Sequence, residues 1–295
     1  MNAFQSYHPL VNFTYFTAVI LYAIFLMHPV CLGISLICAL LYAIILKGKK
    51  AAVFQVACLL PLLLFSALVN VAFNHEGRTI LAYLPSGNPL TLESVAYGLA
   101  AAAMIVTVIS WFSCYNAVMT SDKFIYLFGR VMPSLSLVLS MALRFVPRFK
   151  AQAQVIASAQ RGLGRDLRKG SIKQRAQSGM TILSILVTWA LENAVETAQS
   201  MKSRGYGLPG RTAYHTFRFS KRDGAALALI AVSALYVLAG KICGAAGFRY
   251  FPSLRAAQMT PYFISVFAVY GILCATPIII ELWEERKWRA IKSRI

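Results

Sequence analysis

Charged residues are scarce in this chain. Asp, Glu, Lys and Arg make up 13% of its 295 residues, against about 25% in soluble domains. Hydrophobic residues make up 58%. This composition excludes an ordinary soluble domain and predicts a polytopic membrane protein.

Lys and Arg are absent before Lys47, so the N-terminus lacks the charged start of a cleavable secretory signal. We therefore expect the first apolar segment to remain in the protein. The six cysteines lack CxxC spacing and lie in or beside apolar runs. That pattern indicates buried free thiols rather than a metal site or a disulfide framework.

The usual signatures of catalytic and nucleotide-binding sites are missing as well. The sequence contains no GxxxxGK followed by Ser or Thr, which a phosphate-binding loop requires. Its four histidines are far apart, and no acid–base pair or nucleophile constellation is visible. Glu93, Lys241 and Glu281 lie only at the ends of apolar runs, which argues against an ion-coupled transporter. We expect no catalytic residue, no metal and no cofactor.

Six apolar runs are long enough to cross a hydrocarbon core of about 30 Å. They lie near residues 12–27, 29–46, 51–73, 91–119, 224–243 and 260–281. Within the fourth run, Gly98 and Ala102 place small residues at i and i+4, which allows another helix to approach closely. The sequence leaves open whether that helix belongs to this chain.

The bias of Lys and Arg toward the cytoplasm gives one consistent orientation. Lys47, Lys49 and Lys50 face the cytosol, the connection 74–89 is external, and the basic middle third is internal. The loop around residues 249–255 is external and the basic tail 284–294 is cytosolic. We therefore expect a multi-pass membrane protein with both termini in the cytosol.

The middle third concentrates the positive charge, because 17 of the 29 Lys and Arg fall between Lys123 and Arg222. Apolar residues recur at helical spacing over 133–149, and a shorter apolar run of about 12 residues covers 180–191. These features predict long amphipathic helices at the cytosolic surface. We expect three regions: N-terminal spans (1–119), a cytosolic helical region (120–223), and C-terminal spans with a basic tail (224–295).

Two helix ends in this region carry similar motifs, Gln160-Arg161-Gly162 and Ser203-Arg204-Gly205. Gly205 suits the left-handed conformation that ends a helix, and glycines follow Arg161 in the same way. Taken singly, each arginine has a bland explanation, since a cation at a helix C-terminus is favoured by about 0.3 to 1 kcal/mol. Two such ends on one membrane protein instead suit insertion into paired acidic clefts.

The segment from Ser200 to Gly207, with Ala159 to Gly162 upstream, resembles the transmembrane T component (EcfT or CbiQ type) of energy-coupling factor (ECF) transporters. The stretch from Met141 to Phe149 is similar to that family's first coupling-helix region, and the resemblance covers essentially the whole chain. The first motif departs from the family's commoner Ala-Arg-Gly at Gln160.

The resemblance implies an all-α membrane protein with about six spans and long cytosolic coupling helices. It implies docking on two ABC-type ATPase subunits through Gln160, Arg161 and Gly162 on one helix and Ser203, Arg204 and Gly205 on the other. It also implies a membrane-embedded substrate-binding S component that selects a vitamin or a transition-metal ion. Such a chain is a non-enzymatic coupling scaffold in the lipid bilayer and has no nucleic-acid partner.

One alternative stays open, a stand-alone channel or facilitator whose basic segment binds anionic lipid. Lipid binding follows summed charge, at about 1 kcal/mol per Lys or Arg, and tolerates Arg→Lys. ATPase docking at Arg161 and Arg204 is not expected to tolerate it.

Overall fold

The computed structural model describes residues 3–83, 89–129, 132–165, 171–209, 217–245, 247–256 and 260–292. The chain divides into two compact units. One contains residues 1–123 and 217–295 and is called the membrane unit here. The other contains residues 124–216 and is called the middle unit.

Helices dominate both units. In chain order they are α1 (Pro9–Phe25), α2 (Pro29–Lys47), α3 (Lys49–Phe54), α4 (Leu60–Phe73), α5 (Leu92–Val118), α6 (Ser121–Gly129), α7 (Pro133–Gly162), α8 (Ile172–Ser203), α9 (Lys221–Ile242) and α10 (Pro261–Lys292). A π-helical turn, Gln55–Leu59, joins α3 to α4. All six predicted apolar runs are helical, which confirms an all-α polytopic membrane protein.

Length and composition single out six helices as able to cross a membrane. They are α2, residues Ala52–Phe73, α5, α8, α9 and α10. The 17-residue α1 is a shorter apolar helix, although it was predicted as a span. Conversely, α8 meets the test although its apolar run looked too short, because it continues as one 32-residue helix.

The starts of the first two helices follow from local chemistry. The His8 side chain accepts a hydrogen bond from the Leu10 amide, and the His28 side chain accepts one from the Val30 amide. A proline at the first helical position follows each histidine, where its missing N–H costs no helical hydrogen bond. The pair His28-Pro29 therefore separates α1 from α2.

The core of the membrane unit contains large aromatic side chains from α1, α2 and α5. Tyr15, Phe16, Tyr42 and Trp111 are fully buried and form edge-to-face or tilted ring pairs. Their polar atoms need partners in a membrane interior. The Trp111 indole N–H donates to Ser35 Oγ at 2.9 Å, and the Tyr15 hydroxyl donates to the Cys274 carbonyl at 3.0 Å.

Gly98 packs against α4 of the same chain. A Cβ at this position would lie 3.2 Å from the Ala67 carbonyl oxygen and 3.3 Å from Asn70 Cβ. Ala102, one turn further along α5, is fully buried. The small residues at i and i+4 therefore do allow a close helix approach, and the approaching helix belongs to this chain.

Two short antiparallel hairpins interrupt the helical pattern. In one, β1 (Ile80–Tyr83) pairs with β2 (Pro89–Thr91); in the other, β3 (Phe248–Arg249) pairs with β4 (Arg255–Ala256). Both lie in connections predicted to be external.

All six cysteines are free. Cys31, Cys114 and Cys274 are buried, and Cys38 is partly buried. Cys58 and Cys243 are exposed on the surface of the chain, so burial was wrongly expected for these two.

In the middle unit, α7 and α8 pack on each other. The less exposed positions of α7 include Met141, Phe145, Phe149, Gln152 and Ile156, which are spaced three or four residues apart. The stripe predicted from the sequence contains Leu135, Val138, Leu139, Ala142, Val146 and Phe149. Its members Leu139 and Phe149 are partly buried, whereas Leu135, Val138 and Val146 are more than half exposed. The N-terminal half of α7 is therefore amphipathic as predicted, but much of its apolar face is exposed on the surface of the chain.

Candidate functional site

The first arginine motif occupies the last turn of α7. Gly162 is the last helical residue, and Gly164, with φ of 79°, takes the left-handed conformation that ends the helix. The Arg165 amide donates to the Gln160 carbonyl at 3.0 Å, and the Gly164 amide donates to the Arg161 carbonyl at 3.0 Å. These two bonds form a Schellman cap, which satisfies carbonyls that the helix end leaves free.

The second motif lies at an end of the same type. Ser203 is the last residue of α8, and Gly205 again has φ of 79°. The Tyr206 amide donates to the Met201 carbonyl and the Gly205 amide to the Lys202 carbonyl, both at 3.0 Å. The prediction that Gly205 ends this helix in the left-handed conformation is confirmed.

The two motifs are not equivalent relative to their caps. Arg161 lies three residues before its capping glycine, Gly164, whereas Arg204 lies one residue before Gly205. A two-residue offset rotates a position by about 200° around an α-helix and shifts it by about 3 Å. If the two caps are superposed, the arginine side chains therefore project from nearly opposite faces of their helices. Lys202 of α8, three residues before Gly205, occupies the position that corresponds to Arg161 of α7.

Four side chains within the two motifs differ in their exposure. Arg161, Ser203 and Arg204 are exposed. Gln160 is only 8% exposed, and its Oε1 meets no hydrogen-bond donor in the part of the chain that the structure describes. Gln160 thus contributes its carbonyl to the cap and its side chain to the packed stripe of α7, while the arginines point outward.

Helices α7 and α8 contact each other near their midpoints. The Phe149 and Trp189 rings meet edge to face with centroids 5.6 Å apart, and the Arg148 guanidinium lies over the Trp189 ring at 5.4 Å. Arg161 lies about 18 Å beyond this contact along α7, and Arg204 about 22 Å beyond it along α8, at 1.5 Å per residue.

The short connection between α7 and α8 sets the separation of the two arginines. Residues 163–171 span at most about 34 Å. They join the C-terminal half of α7 to the N-terminal half of α8, so these two halves diverge from the contact with Trp189 by no more than about 90°. The C-terminal half of α8, which ends at Arg204, extends from that contact in the opposite direction. These lengths put Arg161 and Arg204 about 30 to 40 Å apart, at opposite ends of the helix pair.

Sequence reasoning named Gly162 and Gly164 together as the end of the first helix, and it did not single out Arg165 or Lys202. Gly162 and Gly164 both follow Arg161, but only one of two such close glycines can hold the left-handed cap position. Among the described residues, no group of three His, Cys, Asp or Glu is placed to hold a metal ion.

Known proteins are similar to this chain in sequence. A family model described as cobalt transport protein (CbiQ) matches residues 2–214, which include both arginine ends. The energy-coupling factor transporter transmembrane protein EcfT of Lactobacillus helveticus is 31% identical over 231 residues, covering 72% of this chain and 80% of the relative. EcfT of Streptococcus thermophilus is 29% identical over 184 residues, covering 59% and 69%.

The resemblance found in the sequence is thus confirmed. By the extent of these matches, the chain belongs to the CbiQ/EcfT family of transmembrane components of energy-coupling factor transporters.

Proposed function

We propose that this chain is the coupling scaffold of an ECF-type importer of a vitamin or a transition-metal ion. Two ABC-type ATPase subunits bind the ends of α7 and α8, and a membrane-embedded S component supplies the substrate site. The chain makes and breaks no covalent bond. Both termini lie in the cytosol, which the bias of Lys and Arg supports.

The observation that carries this proposal is the pair of separate, capped helix ends. Each offers an exposed arginine. A guanidinium can form two parallel hydrogen bonds with a carboxylate, and it loses less than an ammonium does when a groove removes it from water, because it is more weakly hydrated. Because the two ends lie about 30 to 40 Å apart, they suit two partner molecules rather than one binding site.

The proposed mechanism is mechanical. ATP binding draws the two ATPases together, and each moves the helix end that it holds. The contact of Trp189 with Arg148 and Phe149 joins the two helices, so movement at one end is passed to the other. The scaffold then reorients or releases the S component.

Co-purification with the ATPase pair tests the proposal. The wild type is compared with Arg161→Ala, Arg204→Ala, the double variant and the matching Arg→Lys variants. Arg218→Ala is the control, since Arg218 is exposed and lies outside the middle unit. We expect each Ala variant to weaken ATPase retention, the double variant to abolish it, and Lys to restore it only in part.

The channel alternative makes the opposite prediction. It is favoured by the open apolar side chains of α8, among which Met180, Leu183 and Leu191 are more than half exposed. If no ATPase is retained by the wild type, or if the Arg→Lys and Arg→Ala variants retain the ATPases as the wild type does, the coupling proposal fails.

A further inference from the structure

The segment before α1 is bonded to residues of α9, α10 and the start of α6, all of them in the membrane unit. It forms a single 3₁₀ turn, Phe4–Ser6. Its amide and carbonyl groups meet side chains far away in the sequence. The Ala3 amide donates to Glu281 of α10 at 2.6 Å, and the Gln5 carbonyl accepts from Lys123 of α6 at 2.5 Å.

Two further bonds connect the segment to the start of α9. The Arg222 guanidinium donates to Ser6 Oγ at 2.9 Å and lies over the Tyr7 ring at 4.2 Å. The His8 amide donates to Asp223 Oδ1 at 3.0 Å. The segment 3–8 thus joins α6, α9 and α10 by side-chain bonds to its backbone and to Ser6.

An aromatic anchor holds the segment in the core. Phe4 is fully buried, and its ring lies edge to face with those of Tyr15, Phe16 and Tyr42. Burying a phenylalanine stabilises a structure by about 1.5 to 3 kcal/mol. Burial of the Phe4 ring therefore holds the segment in place in addition to its hydrogen bonds.

Lys123 is the most unusual member of the group, since it is a cation with only 5% of its surface exposed. Besides the Gln5 carbonyl, its ammonium donates to the Asn12 side-chain oxygen at 2.8 Å, in the amide orientation that also lets Asn12 donate to the Phe4 carbonyl at 3.0 Å. A buried ammonium is costly unless it is hydrogen-bonded in this way. Its placement therefore depends on the segment 3–8.

These contacts lie where the chain leaves and re-enters the membrane unit. Lys123 is the last residue before the middle unit, and Phe217 is the first residue after it. Arg222 and Asp223 follow Phe217 closely. The same six-residue segment thus fixes the chain at both connections to the middle unit.

We propose that residues 3–8 act as a clasp that holds both connections firmly to the membrane unit, and that Lys123 is a positioning residue for coupling. The clasp makes α6 and α9 move with α10 and the core. Without it, movement delivered by α7 and α8 is lost in local bending at residues 123 and 217. The claim about coupling rests on the proposed function, whereas the clasp itself does not.

The first experiment measures the clasp alone, by hydrogen–deuterium exchange of the purified chain in nanodiscs. Lys123→Met keeps the length and apolar stem of the side chain and removes the donor. Exchange of the amides in residues 3–8 is expected to rise about tenfold, as for a segment that opens locally. Arg222→Gln, an exposed site with less risk to folding, is expected to raise it about threefold by the same opening. Lys221→Met is the control, because Lys221 is exposed and makes no clasp contact.

The second experiment measures transmission in the complex with both ATPases. Cys58→Ser leaves Cys243, at the far end of α9 from Arg222, as the only exposed cysteine of the six. The rate of its modification by maleimide is measured with and without a non-hydrolysable ATP analogue. We expect the nucleotide to change this rate in the wild type and Lys221→Met, and the change to fall at least about threefold in Lys123→Met and Arg222→Gln while both ATPases stay bound.

Unchanged exchange of residues 3–8 in both clasp variants overturns the clasp. An unchanged nucleotide response in these variants, or no response in a wild type that holds both ATPases, overturns the role of Lys123 in coupling. Loss of the ATPases from the wild type is a failure of the proposed function instead, and the exchange experiment still decides whether the clasp exists.

Discussion

The Arg148 guanidinium lies over the Trp189 indole, with its carbon 5.4 Å from the ring centroid. Together with the edge of Phe149, this contact joins α7 to α8 midway between the two capped ends. A rigid contact here lets the two arginine ends keep a fixed separation. Its loss should therefore affect both ends at once.

Trp189→Ala removes a cation–π contact and an aromatic pair, and we expect it to lower the free energy of unfolding by about 1 to 2.5 kcal/mol. Thermal unfolding in detergent measures this loss. Trp283→Ala is the matched control, since the exposed Trp283 ring contacts Lys287 of its own helix and pairs with no other ring in the described part of the chain. Its loss should stay below about 0.5 kcal/mol. Equal losses in both variants would contradict a joining role for Trp189.

The three glycines near the arginine motifs should respond differently to alanine. Gly164→Ala and Gly205→Ala place a Cβ at φ of 79°, which costs about 1 to 2 kcal/mol and displaces the helix end. Gly162→Ala lies within α7 with open space around its Cβ, so it should stabilise the helix by about 0.5 to 1 kcal/mol. Thermal unfolding and ATPase retention are measured together. If Gly162→Ala proves as harmful as Gly164→Ala, the cap position derived for α7 is wrong.

Gly98 should tolerate no larger residue. Gly98→Val adds atoms where even a Cβ would lie 3.2 Å from the Ala67 carbonyl, so we expect a loss of about 1 to 3 kcal/mol as α4 moves away from α5. Gly33→Ala in α2 is the control, because its Cβ would meet nothing within 4 Å. Thermal unfolding distinguishes the two. A stable Gly98→Val variant would show that α4 does not depend on this close approach.

The stability of the clasp should depend on pH through Lys123. Burial lowers the pKa of this ammonium from its ordinary value of 10.5 to about 8. Between these values the unfolded chain binds the proton more tightly than the folded chain, so folding becomes more favourable as the pH rises through this window. The cost of burying the charge is fully present below about pH 8.

Thermal unfolding of the wild type and Lys123→Met, at pH 7.5 and pH 10, isolates this effect, because tyrosines and other groups titrate in both proteins. We expect the midpoint of the wild type to rise relative to that of Lys123→Met between the two pH values. A constant difference would mean that Lys123 keeps an ordinary pKa in the folded protein.

Much of the architecture follows from local patterns. Apolar runs of sufficient length predicted the helices of the membrane unit, and His28-Pro29 placed the boundary between the first two. Gly205 and the residues before it predicted the end of α8 correctly. These predictions succeed because helix formation and termination depend on residues within a few positions of one another.

Local sequence patterns could not predict the contacts between residues that are distant in the sequence. The apolar stripe predicted for α7 contains both Val138 and Phe149; of these two, Phe149 packs against Trp189, whereas Val138 is 60% exposed. Likewise, two glycines follow Arg161 closely, and the bonds of the folded chain select Gly164 as the cap.

The sequence by itself determined an all-helical membrane protein with a basic middle third and two arginine-bearing helix ends, since composition and helical periodicity are local properties. Only the tertiary structure decided that these ends are about 30 to 40 Å apart, with their arginines on different faces relative to the caps. It also decided that Lys123 is buried beneath residues 3–8. The burial of Lys123 depends on which surfaces exclude solvent together, and more than one hundred residues separate it from residues 3–8.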